Sequence, residues 1–253
     1  LARTDFVAII RDMLATLEEA YSHPVDIEFT ASVDGQGRVR INVVQCRPLV
    51  VPGAKEAARR AGEIPKERVL FRSSGAIRGG SVTGIRYILY IDPAKYHRAP
   101  MALKRTLPEL VGRVNRLAHS TGEGLMLMGP GRWGSSSLEL GIGVGYAQIN
   151  HAHVLVEIAQ ETAGLSPDFS YGTHFFQDLV EDEILYLAVN PDLPSSGFNA
   201  AFFGRAHNAL LELFPDAAAY ADLVRLIDVP AACGARAAVV VDLEARAGVC
   251  YLE

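Results

Sequence analysis

The sequence predicts an α+β protein in two parts, and three observations carry that expectation. Apolar residues recur at helical spacing at the start, an alternating ribbon broken by "DGQG" follows, and from about residue 64 short β-rich runs alternate with helical stretches. At 253 residues the chain can bury a sizeable core, as one large domain or two modest ones.

In "TDFVAIIRDMLATLEEAYSHP", Phe6, Ile9, Ile10, Met13, Leu14 and Leu17 form one helical stripe that Thr4 or Asp5 can cap and Pro24 ends. The chain begins with Leu1 and runs straight into this helix, so it is expected to be a piece of something longer. Next comes "VDIEFTASVDGQGRVRINVVQCRPLVV", read as a hairpin turning at residues 34–37. "PGAKEAARRAGEIPKER" is a polar, alanine-rich link with a short helix, and it places the boundary between a first part, 1–52, and a second, 64–253.

The second part opens with "RVLFRSSGAIRGGSVTGIRYILYIDP", strand, glycine-rich turn, strand. Its turn reads as a flexible hairpin loop, or else as a nest for an anion. "LKRTLPELVGRVNRLAH" has helical spacing, with a start near Thr106 to accommodate Pro108. Met126 and Met128 read as core strand. "HVLVEIAQ" is a strand, with His151 and His153 alternating at its edge and no metal assigned to them. "YGTHFFQDLVEDEILYLAVNP" is turn, short helix, strand, and "GFNAAFFGRAHNALLELFP" is one amphipathic helix. "RLIDVP" and "RAAVVVDLEARAGVCYL" are closing strands, the last a hairpin.

The strongest constellation lies on the first hairpin. Side chains alternate along a strand, so Asp26 and Glu28 share a face, as do Val43, Gln45 and Arg47 on the return strand. The turn brings the two polar sets to the same side. Carboxylate oxygens suit Mg²⁺, Gln45 adds a carbonyl and Arg47 can fork onto a phosphate. The same spacing suits an ordinary solvated ribbon, on which an Asp26–Arg47 pair is worth little.

Helix, "DIEF" and a hairpin ending "VVQCRP" together resemble the end of the ATP-grasp nucleotide-binding domain in the phosphoenolpyruvate synthase and pyruvate phosphate dikinase family. That resemblance covers residues 5 to 50. It implies Glu28 and Gln45 as Mg²⁺ ligands, Asp26 as a supporting acid and Arg47 as a contact to the ATP phosphates. It also implies ATP and Mg²⁺ as cofactors, pyruvate or phosphoenolpyruvate as the small-molecule substrate, and an upstream ATP-grasp lobe carrying the glycine-rich loop and an ATP-cradling lysine. The first part is thus expected to be the tail of an ATP-grasp domain, and the second a divergent mixed α/β domain with a loose likeness to the family's swivelling phosphohistidine domain.

"LMGPGRWGSSSLELGIGV", residues 127–144, holds five glycines and the only tryptophan. "LELGIGV" invites comparison with the phosphohistidine loop of the same family, yet residues 120–150 contain no histidine. Arg132, flanked by glycines and followed by three serines, suits an oxyanion; the bland reading is a structural turn packed on Trp133. "GPGRWGSS" and "YGTHFFQ" resemble less-studied phosphoenolpyruvate-synthase-like proteins. His174, at a helix start, is the candidate to carry a phosphoryl group, against a plain loop histidine.

The expected function is therefore part of an ATP-dependent phosphotransferase moving phosphoryl toward pyruvate. The alternative is a nucleotide- or phosphate-binding regulatory module that has lost the phosphohistidine. Scattered basic residues and a net charge of −5 argue against a nucleic-acid or membrane partner. Three distant cysteines and the lack of a signal-peptide pattern lead to a cytoplasmic expectation.

Overall fold

The computed structural model describes residues 5–48, 64–74, 79–159, 169–170, 173–242 and 245–253. The expected linker helix and the 75–78 turn lie outside the described residues. Helix α1 (Phe6–Tyr21) precedes a two-stranded antiparallel hairpin, β1 (Val25–Val33) and β2 (Val39–Pro48). Asp34 closes its turn, accepting hydrogen bonds from the Gln36 and Arg38 amides. No residue of α1 is buried, although its apolar stripe is present as the spacing predicts.

An eight-stranded mixed sheet makes up the rest. Its strands are β3 (Val69–Ser74), β4 (Gly80–Ile91), β5 (Gly124–Pro130), β6 (Val154–Ile158), β7 (Leu185–Val189), β8 (Val224–Asp228), β9 (Ala237–Asp242) and β10 (Ala247–Leu252). The order is β3-β10-β9-β4-β5-β6-β7, with β8 also against β4. Strands β4 to β7 run parallel and the others pair antiparallel.

The twelve-residue β4 organises this sheet. One edge pairs β9 up to Ile85 and β8 from Tyr87 on, while the other edge pairs β5. The register breaks around Arg86, and a charge network pins the break: Arg86 binds Asp228 and Glu123, and Arg236 binds Glu123 and the Gly84 carbonyl. Arg236, then Arg86, hold the Glu123 carboxyl well below the usual carboxylate range.

Strand alternation splits the core between two faces. Leu89, Leu125, Leu127, Leu155 and Tyr186 face α3 (Met101–Thr121), which follows the short α2 (Pro93–Arg98). Ile88, Met126, Met128, Val156 and Leu187 face the other way. Here the sheet curls on itself and brings β7 against β3; a Cβ on Gly248 of β10 would lie 2.6 Å from Leu187 Cδ2. Helix α4 (His174–Glu181) connects β6 to β7. Helix α5 (Ala200–Arg205) drives Phe203 into the curl, where it meets Phe71, Tyr90, Phe198 and Phe202.

Two expected elements differ. Helix α3 begins at Met101, not Thr106, and runs through Pro108, losing one backbone hydrogen bond while burying the ring with Leu107 and Val111. The single helix expected over 197–215 is two, α5 and α6 (Leu210–Leu213). Asn208 between them accepts from the Leu210 and Leu226 amides and donates to the Val224 carbonyl. These side-chain bonds, with the Ala209 amide on the Leu226 carbonyl, tie the segment to β8 in place of a helical turn. Helix α7 (Val229–Cys233) then leads into β9.

Phe203 is fully buried in a ring cluster, so Phe203→Ala is expected to lower the unfolding free energy by about 3–5 kcal/mol. Urea titration followed by Trp133 fluorescence measures this. A loss under about 1 kcal/mol, the scale of a surface change, would mean that the curl does not depend on this plug.

Candidate functional site

The polar face of the hairpin forms as the alternation predicts. Asp26 lies opposite Arg47 and Glu28 opposite Gln45, and all four are half-buried. One expectation for this face is corrected. A bulge at Val44 shifts the register, so Val43 sits opposite Phe29 and not with the polar set.

Arg47 does not stand free: its Nη2 donates to Glu181 Oε1 at 2.8 Å, at the C-terminal end of α4. That contact ties the hairpin to the large sheet. His174 is the first residue of the same eight-residue helix, so Arg47 and His174 sit at opposite ends of a rod about 10 Å long.

The glycine-rich stretch is a tight return of the chain after β5. Arg132 and Gly141 form a parallel bridge, with the Arg132 amide on the Leu140 carbonyl and the Ile142 amide on the Arg132 carbonyl. Gly131 takes a left-handed conformation, φ +60°, and a Cβ at Gly141 would fall 1.6 Å from the Arg132 carbonyl oxygen. These glycines are required by backbone contact. The turn packs on Trp133, whose indole is fully buried and donates to the Val156 carbonyl at 3.1 Å.

A residue that sequence reasoning passed over anchors the loop. Glu157, fully buried in β6, accepts from the Trp133 amide at 3.1 Å, the Ser170 amide at 2.8 Å, the Ser170 hydroxyl at 2.6 Å and the Tyr186 hydroxyl at 2.5 Å. Burial pushes its pKa above the ordinary glutamate value, and the bonds from Ser170, Tyr186 and Trp133 oppose that. The signal was present: one acid inside the apolar "HVLVEIAQ" run.

Arg132 is the chemically open group in this loop. Its Nε is buried without a hydrogen-bond partner among the described residues. Of the serines that follow, Ser135 is spent on the turn, donating to the Ser137 carbonyl and accepting from its amide. His174 is exposed, with Nδ1 3.1 Å from Gln177 Oε1, and Thr173 caps its helix by accepting from the Phe176 amide. Phe175 packs on Gly134, where a Cβ would lie 2.5 Å from its ring. The loop bearing Arg132 and the turn bearing His174 are thus in contact, while no hydrogen bond joins the two side chains among the described residues.

The expectation for His151 and His153 is also corrected. Strand β6 starts at Val154, and His151 lies before it, its ring stacked on that of His119 at 3.8 Å between centroids. His153 Nδ1 accepts from the Leu125 amide at 3.3 Å. Both histidines border a cleft of about 640 Å³ at the N-terminal ends of β5 to β7, with Glu123, Asp182 and Glu183. Among the described residues, no group of three or more His, Cys, Asp or Glu side chains is placed to hold a metal. No helix among them is long and apolar enough to cross a membrane.

Residues 3–68 match the family described as pyruvate phosphate dikinase, AMP/ATP-binding domain. The match spans α1, the hairpin and the segment up to Arg68, about a quarter of the chain, and it marks kinship at family level for that stretch. No curated protein and no solved structure matches the chain.

Glu157 supplies a pH-dependent test of the loop anchor. Below the ordinary glutamate range its carboxyl is neutral both folded and unfolded. As pH rises through that range the unfolded chain releases the proton first, so the Glu157 contribution to stability declines until its own raised value is passed. Glu157→Gln removes that decline but sets an NH₂ group against a backbone N–H donor. The variant is expected to be about 1–3 kcal/mol less stable in acid, with the gap narrowing toward neutral pH. Urea unfolding at several pH values measures it; a gap that widens with pH would show that the four donors outweigh desolvation.

Proposed function

We propose that this chain is part of an ATP-dependent phosphotransferase resembling phosphoenolpyruvate synthase and pyruvate phosphate dikinase, with the hairpin face as one wall of its Mg-ATP site. One observation carries the reading: within the matched AMP/ATP-binding stretch, the pairs Asp26–Arg47 and Glu28–Gln45 face one another on one half-buried surface.

The donor set fits a hard cation in part. Glu28 and Gln45 would hold Mg²⁺ through a carboxylate and an amide oxygen, and phosphate oxygens and water would complete its shell. The ion would supply neutralisation of phosphate charge. Asp26 supports the face, and Arg47 offers N–H groups beyond the one given to Glu181. Pyruvate or phosphoenolpyruvate is the small-molecule substrate in this reading. The exposed Val7 and Ile9 of α1 and the exposed Phe29 and Val44 are then covered by the rest of an ATP-grasp lobe.

In the same reading residues 1–52 are the tail of that lobe and 64–253 a divergent second domain, in a cytoplasmic protein. Arg132 binds an oxyanion, and His174 is the candidate to carry a phosphoryl group. The second reading is a nucleotide- or phosphate-binding regulatory module without phosphotransfer. It is favoured by the closed form of the 131–143 loop and by the commitment of Ser135 to its own turn.

In the full-length protein, Arg47→Ala is expected to weaken ATP binding by about 1.5–3 kcal/mol, the range for hydrogen bonds to charged groups. Glu181→Gln, which frees the guanidinium, is expected not to weaken it. Equal loss in both variants would assign Arg47 to docking the hairpin, and unchanged affinity in Arg47→Ala would remove the phosphate contact.

Incubation with ATP followed by assay for acid-labile phosphate separates enzyme from module. The phosphotransferase reading expects label that Arg132→Ala reduces and His174→Ala abolishes. Label that persists in His174→Ala would exclude this histidine, and no label at all would favour the regulatory module.

A further inference from the structure

We propose that Glu181 competes with phosphate for Arg47, so that the Arg47–Glu181 pair is a latch which bound nucleotide releases. The inference rests on the reading of the hairpin as a phosphate-binding face and adds the regulation of that face. Glu181 is then a positioning residue, acting on the site through Arg47.

Arg47 lies opposite Asp26 in the ladder, yet among the described residues its guanidinium donates to Glu181, 134 residues further along the chain. Nη2 and Oε1 are 2.8 Å apart, with the two side chains 24% and 47% exposed. A bond this open is accessible to a small anion, and an ion pair of that kind contributes little to stability.

Helix α4 accounts for the direction Arg47 takes. Its last turn has no basic residue, and its C-terminal end carries Asp178, Glu181, Asp182 and Glu183. The free carbonyls of a helix C-terminus add to the negative potential. Burial first, then Asp182, Asp178 and Glu181, push the Tyr146 phenol above its ordinary range, and its hydroxyl donates to Asp182. Arg47 supplies this end of α4 with a cation from another segment.

Phosphates bound at Arg47 would meet the same field. The guanidinium has donors for both anions, but a phosphate sharing Arg47 with Glu181 lies close to that carboxylate, and like charges at such range repel. A nucleotide triphosphate carries more charge than one carboxylate, so the half-exposed pair with Glu181 is the contact that yields. By linkage, the factor by which nucleotide weakens docking of the hairpin equals the factor by which docking weakens nucleotide.

The test uses the full-length protein and a non-hydrolysable ATP analogue with Mg²⁺, titrated by calorimetry. Glu181→Gln, an exposed change, is expected to tighten binding about 2–5-fold, the range a half-exposed ion pair can supply. Loss of a merely structural contact would leave affinity unchanged or lower it. In the Arg47→Ala background the same change is expected to have a smaller effect. Equal tightening in both backgrounds would reduce Glu181 to plain charge repulsion and overturn the latch. Docking is read separately, as the distance between spin labels at Ser32→Cys in the hairpin and Ser120→Cys at the end of α3. Both positions are exposed, and Cys46, Cys233 and any other accessible cysteine are replaced by serine. A narrow distance distribution is expected without nucleotide, and a broadened one with nucleotide or in Glu181→Gln. The same distribution in all three states would overturn the latch. Affinity that Arg47→Ala leaves unchanged would remove the hairpin site itself, and the latch with it. Arg47-dependent affinity that Glu181→Gln leaves unchanged or weakens would overturn the latch alone.

Discussion

A buried carboxylate governs how the second part of this chain is assembled. Glu157 sits in the middle of a parallel sheet, where an isolated ion is costly, and four donors from three other segments converge on it. Trp133 comes from the loop after β5, Ser170 from the stretch after β6 and Tyr186 from β7. One side chain thus ties the connections after β5 and β6 to strand β7. Without it the Trp133 and Ser170 amides would be buried unpaired, and the loop holding Arg132 would keep only its bonds to the Val156 and Ile158 carbonyls of β6.

Helix α4 carries that order to the hairpin. Its first turn follows Ser170 and presents Phe175 to Gly134, while its last residue holds Arg47. Among the described residues the Arg47–Glu181 pair is the ion pair that joins the hairpin to the second part of the chain. The polar hairpin face and the Arg132 loop therefore sit against opposite ends of one short helix.

Much of the fold was legible because local rules agreed with the tertiary result. "DGQG" set the turn, and strict alternation placed Asp26, Glu28, Gln45 and Arg47 on one face. What escaped was set by longer-range contact. A single extra residue at Val44 leaves no mark in an alternating pattern, yet it turns Val43 over. Pro108 argued for a later helix start, but burial against the sheet outweighed one lost hydrogen bond. The 197–215 stretch has one amphipathic pattern, but Asn208 finds backbone partners on β8 and the helix breaks there. The glycine-rich stretch was ambiguous for a related reason. Glycines that cradle an anion and glycines that admit a crossing backbone read alike, and the Arg132–Gly141 bridge reveals the crossing backbone. Glu157 is an acid in an otherwise apolar run, Val154 to Ile158, and its buried role is set by donors distant in sequence.

The account rests on Glu157 holding the loop, and native-state hydrogen exchange at two amides tests it most directly. The Trp133 and Ser170 N–H groups, both donors to the buried carboxylate, should exchange as slowly as the central amides of β6, through global unfolding. Exchange at rates typical of exposed loops would contradict the account, because the carboxylate would then not be what holds the glycine-rich loop and the β6–α4 connection in place.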